Sequence, residues 1–117
     1  MKKVYYLSTC DTCKRIIKEL QLKEKGFLFQ DIKTEKITPV QLDELKKIAG
    51  SYEALFSRVS RQYKERKLAD VSLTELDYKK LILEEYTFLK RPVIVYKNNL
   101  FIGNSKEAIS KAKVQIN

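Results

Sequence analysis

The sequence predicts one α/β domain over residues 1–117, with a small mixed sheet, flanking helices and a helical insertion between a βαβ half and a C-terminal ββα half. Three observations predict this class. The chain starts with a strand, a helix and a strand joined by short turns, ends with a hairpin and a helix, and has helical periodicity over about residues 38–86. A chain of 117 residues can bury about two-thirds of its unfolded surface in one core.

The N-terminal half is predicted to form a βαβ unit. We expect a first strand at residues 3–8, a helix over about 11–25 that stops at Gly26, and a second strand at 27–32. Strand, helix and strand with short joints give a right-handed unit with parallel strands. Loops at the carboxyl ends of such strands usually hold the functional residues of α/β proteins.

The middle of the chain is predicted to be helical throughout. Thr38 and Gln41 have capping-box spacing, with Pro39 as first helical residue and an end near residue 50. Ser72 and Glu75 repeat that spacing and predict a helix to about residue 86. Ile37 with Leu42, and Val71 with Leu76, are the expected hydrophobic staples.

A third helix is predicted between these two, starting at residue 51. Its apolar face would hold Tyr52, Leu55, Phe56, Val59 and Tyr63. Its opposite face would carry the densest group of bases in the chain, namely Arg58, Arg61, Lys64, Arg66 and Lys67.

The C-terminal part is predicted to be a β-hairpin followed by a helix. The strands are 92–96 and 100–102, and Asn98 and Asn99 join them because asparagine tolerates the positive φ of a tight turn. The final helix is expected to start at about Ser105.

The net charge of +9, from 24 Lys+Arg against 15 Asp+Glu, favours an anionic partner such as an oxyanion, glutathione or an acidic protein surface. The bases are spread along the chain and no nucleic-acid motif is present, so direct nucleic-acid binding is not expected, and a solvated basic surface is the alternative. The first apolar run, Val4 to Leu7, is too short for a signal peptide or a membrane span. We therefore expect a cytoplasmic protein that does not bind membranes.

Both cysteines, Cys10 and Cys13, lie where the first strand gives way to the first helix. A Cys-x-x-Cys at such a junction indicates a redox site, because a helix N-terminus offers free N–H groups to a thiolate. Helical spacing turns Cys13 toward the core and leaves Cys10 at an exposed tip, which suits a resolving and an attacking thiol. Lys14 and Arg15 add positive charge that favours the thiolate.

Two other interpretations of the cysteines compete with this one. A buried cysteine is most often a small core side chain, and Cys13 could be only that. Zinc is the other candidate, but two cysteines and no histidine cannot complete a tetrahedral Cys/His site in one subunit, so we expect no metal.

Beyond the cysteines, several segments resemble the arsenate reductase-like family, which includes ArsC reductases, Spx regulators and YffB-type proteins in the thioredoxin-like superfamily. The resemblance covers essentially the whole chain, and its specific parts are Thr9–Arg15, the Tyr63–Lys64 region, Leu89–Val95 and Ile102–Asn104. It implies a thioredoxin-like fold in which Cys10 is the nucleophile, Arg91 contacts an oxyanion and Pro92 is a cis-proline beside the active site.

The resemblance also implies supporting residues around the site, namely Thr9, Asp11, Thr12, Lys14, Arg58 and Pro92. Arsenate reductases of this family place three arginines around the oxyanion. Arg91 matches one of them, Ser57 with the adjacent Arg58 falls nearest another, and Gly103 occupies the third position. The second cysteine is a feature of Spx regulators and is lacking in glutaredoxin-coupled arsenate reductases.

Two functions are therefore expected. The first is a cytoplasmic thiol-disulfide oxidoreductase, glutathione- or glutaredoxin-linked, acting on a disulfide or on arsenate or another small oxyanion. It would need no bound cofactor, and glutathione, thioredoxin or glutaredoxin would be its co-substrate. The second is an Spx-like regulator that binds RNA polymerase through a Cys10–Cys13 switch. Composition and spacing do not predict an oligomeric state.

Overall fold

The computed structural model describes residues 1–117, and the chain divides into two compact units. Unit 1 combines Met1–Glu35 with Arg91–Asn117, and unit 2 is Lys36–Lys90. The elements in chain order are β1 (Lys2–Tyr6), α1 (Asp11–Glu19), β2 (Leu28–Asp31), α2 (Pro39–Ala49), α3 (Arg61–Glu65), α4 (Glu75–Glu84), β3 (Val93–Tyr96), β4 (Asn99–Ile102) and α5 (Lys106–Ile116), with 3₁₀ turns at Glu53–Leu55, Leu68–Asp70 and Tyr86–Phe88.

Unit 1 holds a four-stranded mixed sheet with the strand order β2-β1-β3-β4. Strand β1 is parallel to β2 and antiparallel to β3, and β3 is antiparallel to β4. Register aligns Phe29, Val4, Ile94 and Phe101 across the four strands, so these side chains share one face. The predicted α/β class, with its parallel βαβ start and antiparallel hairpin, is confirmed.

The hydrophobic core of unit 1 lies between that sheet face and helices α1 and α5. Alternation along each strand puts every second residue on the helix-covered face, and the helices contribute one apolar stripe each. The buried members of the core are Val4, Ile16, Leu20, Leu22, Phe27, Ile94, Phe101, Ala112 and Ile116.

Helix α1 ends at Glu19, so the prediction that it continues to residue 25 was wrong. Gln21 adopts a left-handed φ of 54°, its N–H donates to the carbonyl of Lys18, and the N–H of Leu22 donates to the carbonyl of Ile17, both at 3.1 Å. This is a Schellman ending with glutamine where glycine is usual. It brings Leu22 into the core with no exposed surface, and that burial offsets the conformational cost at Gln21.

The expected start of α2 in unit 2 is confirmed. The Thr38 hydroxyl accepts the Gln41 N–H and the Gln41 side chain accepts the Thr38 N–H, each at 3.1 Å. Pro39 is the first helical residue, and Gly50 ends the helix with a φ of 96°.

The helix predicted from residue 51 is wrong, because only Arg61–Glu65 is α-helical there. Phe56 is extended and pairs with Leu89, and this bridge is closed by hydrogen bonds from the Ser57 N–H to the Phe88 carbonyl (2.7 Å) and from Lys90 to Leu55 (2.8 Å). The pairing puts the fully buried Phe56 ring 5.1 Å from that of Phe88. Packing thus overrode helical periodicity.

Because residues 51–67 do not form one helix, two further expectations for this segment are also wrong. Val59, expected on the apolar face, is 92% exposed. The bases at 58–67 are divided between a loop, the short α3 and the turn after it, so they do not form one helical face.

The start of α4 was predicted two residues too early. Thr74, not Ser72, is the N-cap, and it forms a reciprocal capping box with Asp77. The carboxylate of Glu75 instead accepts the backbone N–H groups of Tyr52 (2.7 Å) and Glu53 (3.1 Å), so it caps the 3₁₀ turn there. Leu76, expected in a staple with Val71, is 75% exposed. The helix ends at Glu84 rather than at residue 86.

The C-terminal hairpin and helix are confirmed, with a different turn. Asn99 belongs to β4 and pairs with Tyr96, and the residue with positive φ is Lys97, at 56°. Ser105 caps α5 by accepting the N–H of Ala108. None of the helices combines the length and the hydropathy that crossing a membrane requires.

Candidate functional site

Cys10 is the N-cap residue of α1, directly after the turn that follows β1. Its N–H donates to the Leu7 carbonyl (3.0 Å) and its carbonyl accepts the Lys14 N–H (3.2 Å), so the backbone on both sides of the thiol is held. The Cys10 Sγ accepts the N–H of Cys13 at 3.4 Å. A thiolate at this position would therefore meet one of the free N–H groups at the helix N-terminus. Cys10 was expected at an exposed tip, and in the structure its side chain is partly exposed.

Cys13 is completely buried and both cysteines are free thiols. Burial raises the pKa of the Cys13 thiol to about 12, and the neighbouring Cys10 adds to this rise. A hydrogen bond with the Leu7 backbone lowers the pKa of Cys13, and the positive charge of Arg91 lowers it as well, but burial outweighs both. Cys13 is therefore protonated at neutral pH.

Arg91 and Pro92 lie at the start of β3, on the strand next to β1. The peptide bond between them is cis, as the resemblance implied. The Pro92 carbonyl accepts the Gly103 N–H at 2.9 Å, which ties this position to the end of β4. The Nε atom of Arg91 is buried. Since its charge acts on the pKa of Cys13, Arg91 lies within electrostatic range of the cysteine pair.

Asp31 is a site residue that the sequence analysis missed. Its carboxylate accepts the Ser8 hydroxyl at 2.5 Å and the Lys33 N–H at 3.1 Å. The Ser8 hydrogen bond is the main cause of the lowered pKa of Asp31. Parallel pairing of β1 with β2 places Tyr6 opposite Asp31 and so brings the carboxyl ends of both strands together. An acid at the end of the second predicted strand was the signal that could have identified it.

The other predicted residues of the cysteine segment are Thr9, Asp11, Thr12 and Lys14. Thr9 is in the turn before the thiol, and the other three are in the first turn of α1. Thr12 is partly buried, the remaining three are exposed, and none of the four has a side-chain hydrogen bond or ion pair. These four residues are neighbours of Cys10 in the sequence, and none of their side chains holds the thiol by a hydrogen bond.

Arg58 is part of unit 2, where other side chains engage its guanidinium group. Its Nη2 donates to the Glu53 carboxylate at 2.7 Å and to the Tyr78 hydroxyl at 2.9 Å. The hydrogen bond with Glu53 is the main cause of the raised pKa of Arg58. The group also lies 5.9 Å from the centre of the Phe56 ring. Arg58 is therefore part of an ion-pair and aromatic cluster within unit 2.

The chemistry that unit 1 offers is that of thiols. It presents one accessible thiol at a helix N-terminus, a second buried thiol in the same helical turn and one permanent cation near them. No group of three or more His, Cys, Asp or Glu side chains could hold a metal ion. The arrangement supports nucleophilic attack by Cys10 and disulfide formation with Cys13.

Comparison with known proteins gives two findings. A protein-family model described as the ArsC family matches residues 5–112, which is most of the chain. No curated protein sequence matches.

Several solved structures have the same fold. An arsenate reductase from Vibrio cholerae is 17% identical, with a TM-score of 0.78, covering 95% of this chain and 98% of its own. An arsenate reductase (ArsC) related protein from Brucella melitensis is 22% identical, with a TM-score of 0.68 and coverages of 94% and 92%. A Staphylococcus aureus protein is 23% identical, with a TM-score of 0.75 and coverages of 95% and 97%. At these identities the similarity concerns the fold.

Proposed function

The chain belongs to the ArsC family, and from that membership we propose that it is a thiol-disulfide oxidoreductase with Cys10 as nucleophile. The observation that carries the proposal is the asymmetry of the two thiols. Cys10 is partly exposed at a helix N-terminus and receives a backbone N–H, whereas Cys13 is buried and protonated. We place the reaction in the cytoplasm, where external thiols are available as reductants.

In the proposed reaction, the Cys10 thiolate attacks one sulfur of a substrate disulfide. A Cys10–substrate disulfide forms, and the other half of the substrate leaves as a thiolate that takes a proton from water. Cys13 or an external thiol such as glutathione then attacks the Cys10 sulfur, and the bound half leaves as a thiol that takes the proton which the attacking thiol gives up. A thioredoxin, glutaredoxin or glutathione supplies the two electrons that restore the starting thiols. Arg91 would stabilise the anions that form beside the cysteines.

Reduction of arsenate or a related oxyanion is the second substrate class that we propose, and Arg91 is the observation that favours it. A permanent cation close to the thiols suits a bound oxyanion. Two thiols would give up two electrons to convert As(V) to As(III) and would end as one disulfide, and their two protons would leave with one arsenate oxygen as water. Arg58 donates hydrogen bonds to Glu53 and Tyr78, and position 103 is a glycine. We therefore assign the binding of the oxyanion mainly to Arg91.

An Spx-like role is the alternative function. The observation in its favour is that Cys10 and Cys13 share one helical turn, so their disulfide could act as a switch. In that role the oxidised and reduced forms would differ in affinity for RNA polymerase, and turnover of a small substrate would not be needed.

A set of variants tests the proposal and separates the two classes. Wild type, Cys10→Ser, Cys13→Ser, Arg91→Ala and Arg91→Lys are assayed for glutathione/glutaredoxin- and thioredoxin-dependent reduction of a small disulfide and of arsenate. Arg61→Ala, which removes an exposed arginine from unit 2, is the matched control. We expect Cys10→Ser to be inactive, and Arg91→Ala to lose about 10- to 100-fold, the value of one charge-assisted hydrogen bond.

The same assays give the contradicting outcomes. Wild-type activity in Cys10→Ser would exclude the proposed nucleophile. If no substrate is turned over, while RNA polymerase is captured by only one redox form, the regulator is favoured over the enzyme. Equal activity of Arg91→Ala and Arg61→Ala would remove Arg91 from the mechanism.

A further inference from the structure

An open groove of about 420 Å³ runs along one side of α1 in unit 1. Its floor is apolar and is formed by Tyr6 on β1, Phe29 on β2 and Ile17 on α1. The rings of Tyr6 and Phe29 pack edge to face with their centres 5.7 Å apart, and all three side chains are only partly buried. An apolar group placed on this floor would remove the remaining exposed surface of the three side chains from water.

Three lysines, Lys14, Lys18 and Lys23, stand around this floor. All three are exposed, and none of their ammonium groups makes an ion pair or a hydrogen bond within the protein. Glu24 is the one acidic residue in the lining, so three positive charges face one negative charge. The rim therefore attracts a partner that carries several negative charges.

The lining of the groove begins at Lys14, one helical turn after Cys10 along α1. The Lys14 N–H donates to the Cys10 carbonyl at 3.2 Å. From there the lining continues along α1 to Lys18 and to Lys23 in the turns that follow the helix. A molecule that fills the groove lies beside the segment from which Cys10 reacts.

The form of the groove favours a protein over a small molecule as its occupant. Sites for small ligands are mostly enclosed and contain a few fixed polar groups, whereas this groove is open and its charged groups are the ends of long, exposed side chains, three lysines and Glu24. Such a rim adds attraction and speeds association without fixing one geometry, as suits transient complexes.

We propose that this groove docks an acidic segment, with an aromatic or aliphatic side chain at its centre, of the protein that exchanges disulfides with Cys10. The apolar side chain would pack on Tyr6, Ile17 and Phe29, and the flanking carboxylates would pair with the lysines. The identity of this partner as a disulfide-exchanging protein rests on the proposed function, whereas the docking of an acidic, apolar segment does not need the thiol.

The test measures docking without redox chemistry, in the Cys10→Ser protein. The probe is a fluorescein-labelled heptapeptide of glutamates around one central phenylalanine, followed by anisotropy and by NMR shifts of the backbone amides. Lys18→Glu/Lys23→Glu reverses two rim charges, and Lys106→Glu/Lys113→Glu makes the same change of charge on exposed lysines of α5. We expect about tenfold weaker binding for the first pair and less than about twofold change for the second.

Further outcomes decide the proposal. The largest amide shifts should occur at Ile17 and Phe29, and a peptide with serine in place of phenylalanine should bind at least about fivefold more weakly, since it lacks the apolar anchor. Equal losses from both lysine pairs, or shifts elsewhere in unit 1, would overturn the groove as the docking site. All binding measurements use the Cys10→Ser protein and do not depend on thiol chemistry. A lack of peptide binding would therefore count against the groove alone, and a lack of thiol activity in the earlier assays would count against the proposed function alone.

Discussion

Asp31→Asn should loosen the segment that carries the nucleophile. The Asp31 carboxylate accepts the Ser8 hydroxyl at 2.5 Å and the Lys33 N–H at 3.1 Å. Ser8 is two residues before Cys10, so this carboxylate joins the end of β2 to the turn that positions the thiol. Asparagine has nearly the same shape and keeps one acceptor oxygen, but it lacks the negative charge.

The expected magnitude follows from these two bonds. A hydrogen bond to a charged group contributes about 1.5–3 kcal/mol, and because Asp31 is partly exposed and asparagine keeps part of the bonding, we expect a loss of about 1–2 kcal/mol. For a domain of this size that corresponds to a fall in Tm of roughly 4–8 °C. Because the turn would no longer be held, we also expect disulfide exchange at Cys10 to slow by roughly three- to tenfold.

The assays are thermal unfolding followed by circular dichroism and the rate of disulfide exchange at pH 7. Asp70→Asn is the control, because Asp70 is an exposed acid whose carboxylate makes no hydrogen bond or ion pair. If Asp31→Asn matches this control in both Tm and exchange rate, the carboxylate does not hold the turn and the reasoning is refuted.

The pH dependence of the same variant gives an independent check. The pKa of Asp31 is lowered in the folded protein, so its carboxylate contributes stability that is fully present above the ordinary carboxyl pKa of about 3.8 and is lost as the pH falls through the lowered value. The difference in Tm between wild type and Asp31→Asn should therefore be full at pH 7 and should shrink below about pH 4. A difference that grows on acidification would contradict this sign.

Three further predictions concern caps and thiol burial. Thr74→Ala should lower the free energy of unfolding by about 1 kcal/mol because it removes the N-cap of α4, whereas Ser72→Ala should lower it by less than about 0.5 kcal/mol. Equal losses for the two variants in denaturant melts would contradict the observed cap. Gln21→Gly should stabilise the fold by about 0.5–1 kcal/mol because glycine adopts the left-handed φ without strain, and a lower Tm would argue against that conformation. Iodoacetamide at pH 8 should modify Cys10 and leave Cys13 unmodified until urea unfolds the chain, because burial raises the pKa of the Cys13 thiol to about 12. Mass spectrometry measures the labelling of each cysteine, and a labelled Cys13 in the folded protein would contradict this prediction.

Local sequence determined those features whose partners lie within a few residues. The capping box of Thr38 and Gln41, the cysteine pair at the start of α1 and the hairpin strands could all be predicted, because each depends on short-range backbone geometry. The cis bond at Pro92 was implied by family resemblance, and the structure has it.

Only the tertiary structure decided the features that depend on distant partners. Phe56 leaves the helical pattern because its backbone pairs with Leu89 and its ring packs on Phe88. Ser8 is held by Asp31 because parallel strands bring their carboxyl ends together. Helical periodicity and cap spacing describe how a segment can fold by itself, whereas burial and hydrogen bonds contributed by remote residues are as large as these local preferences and can reverse them.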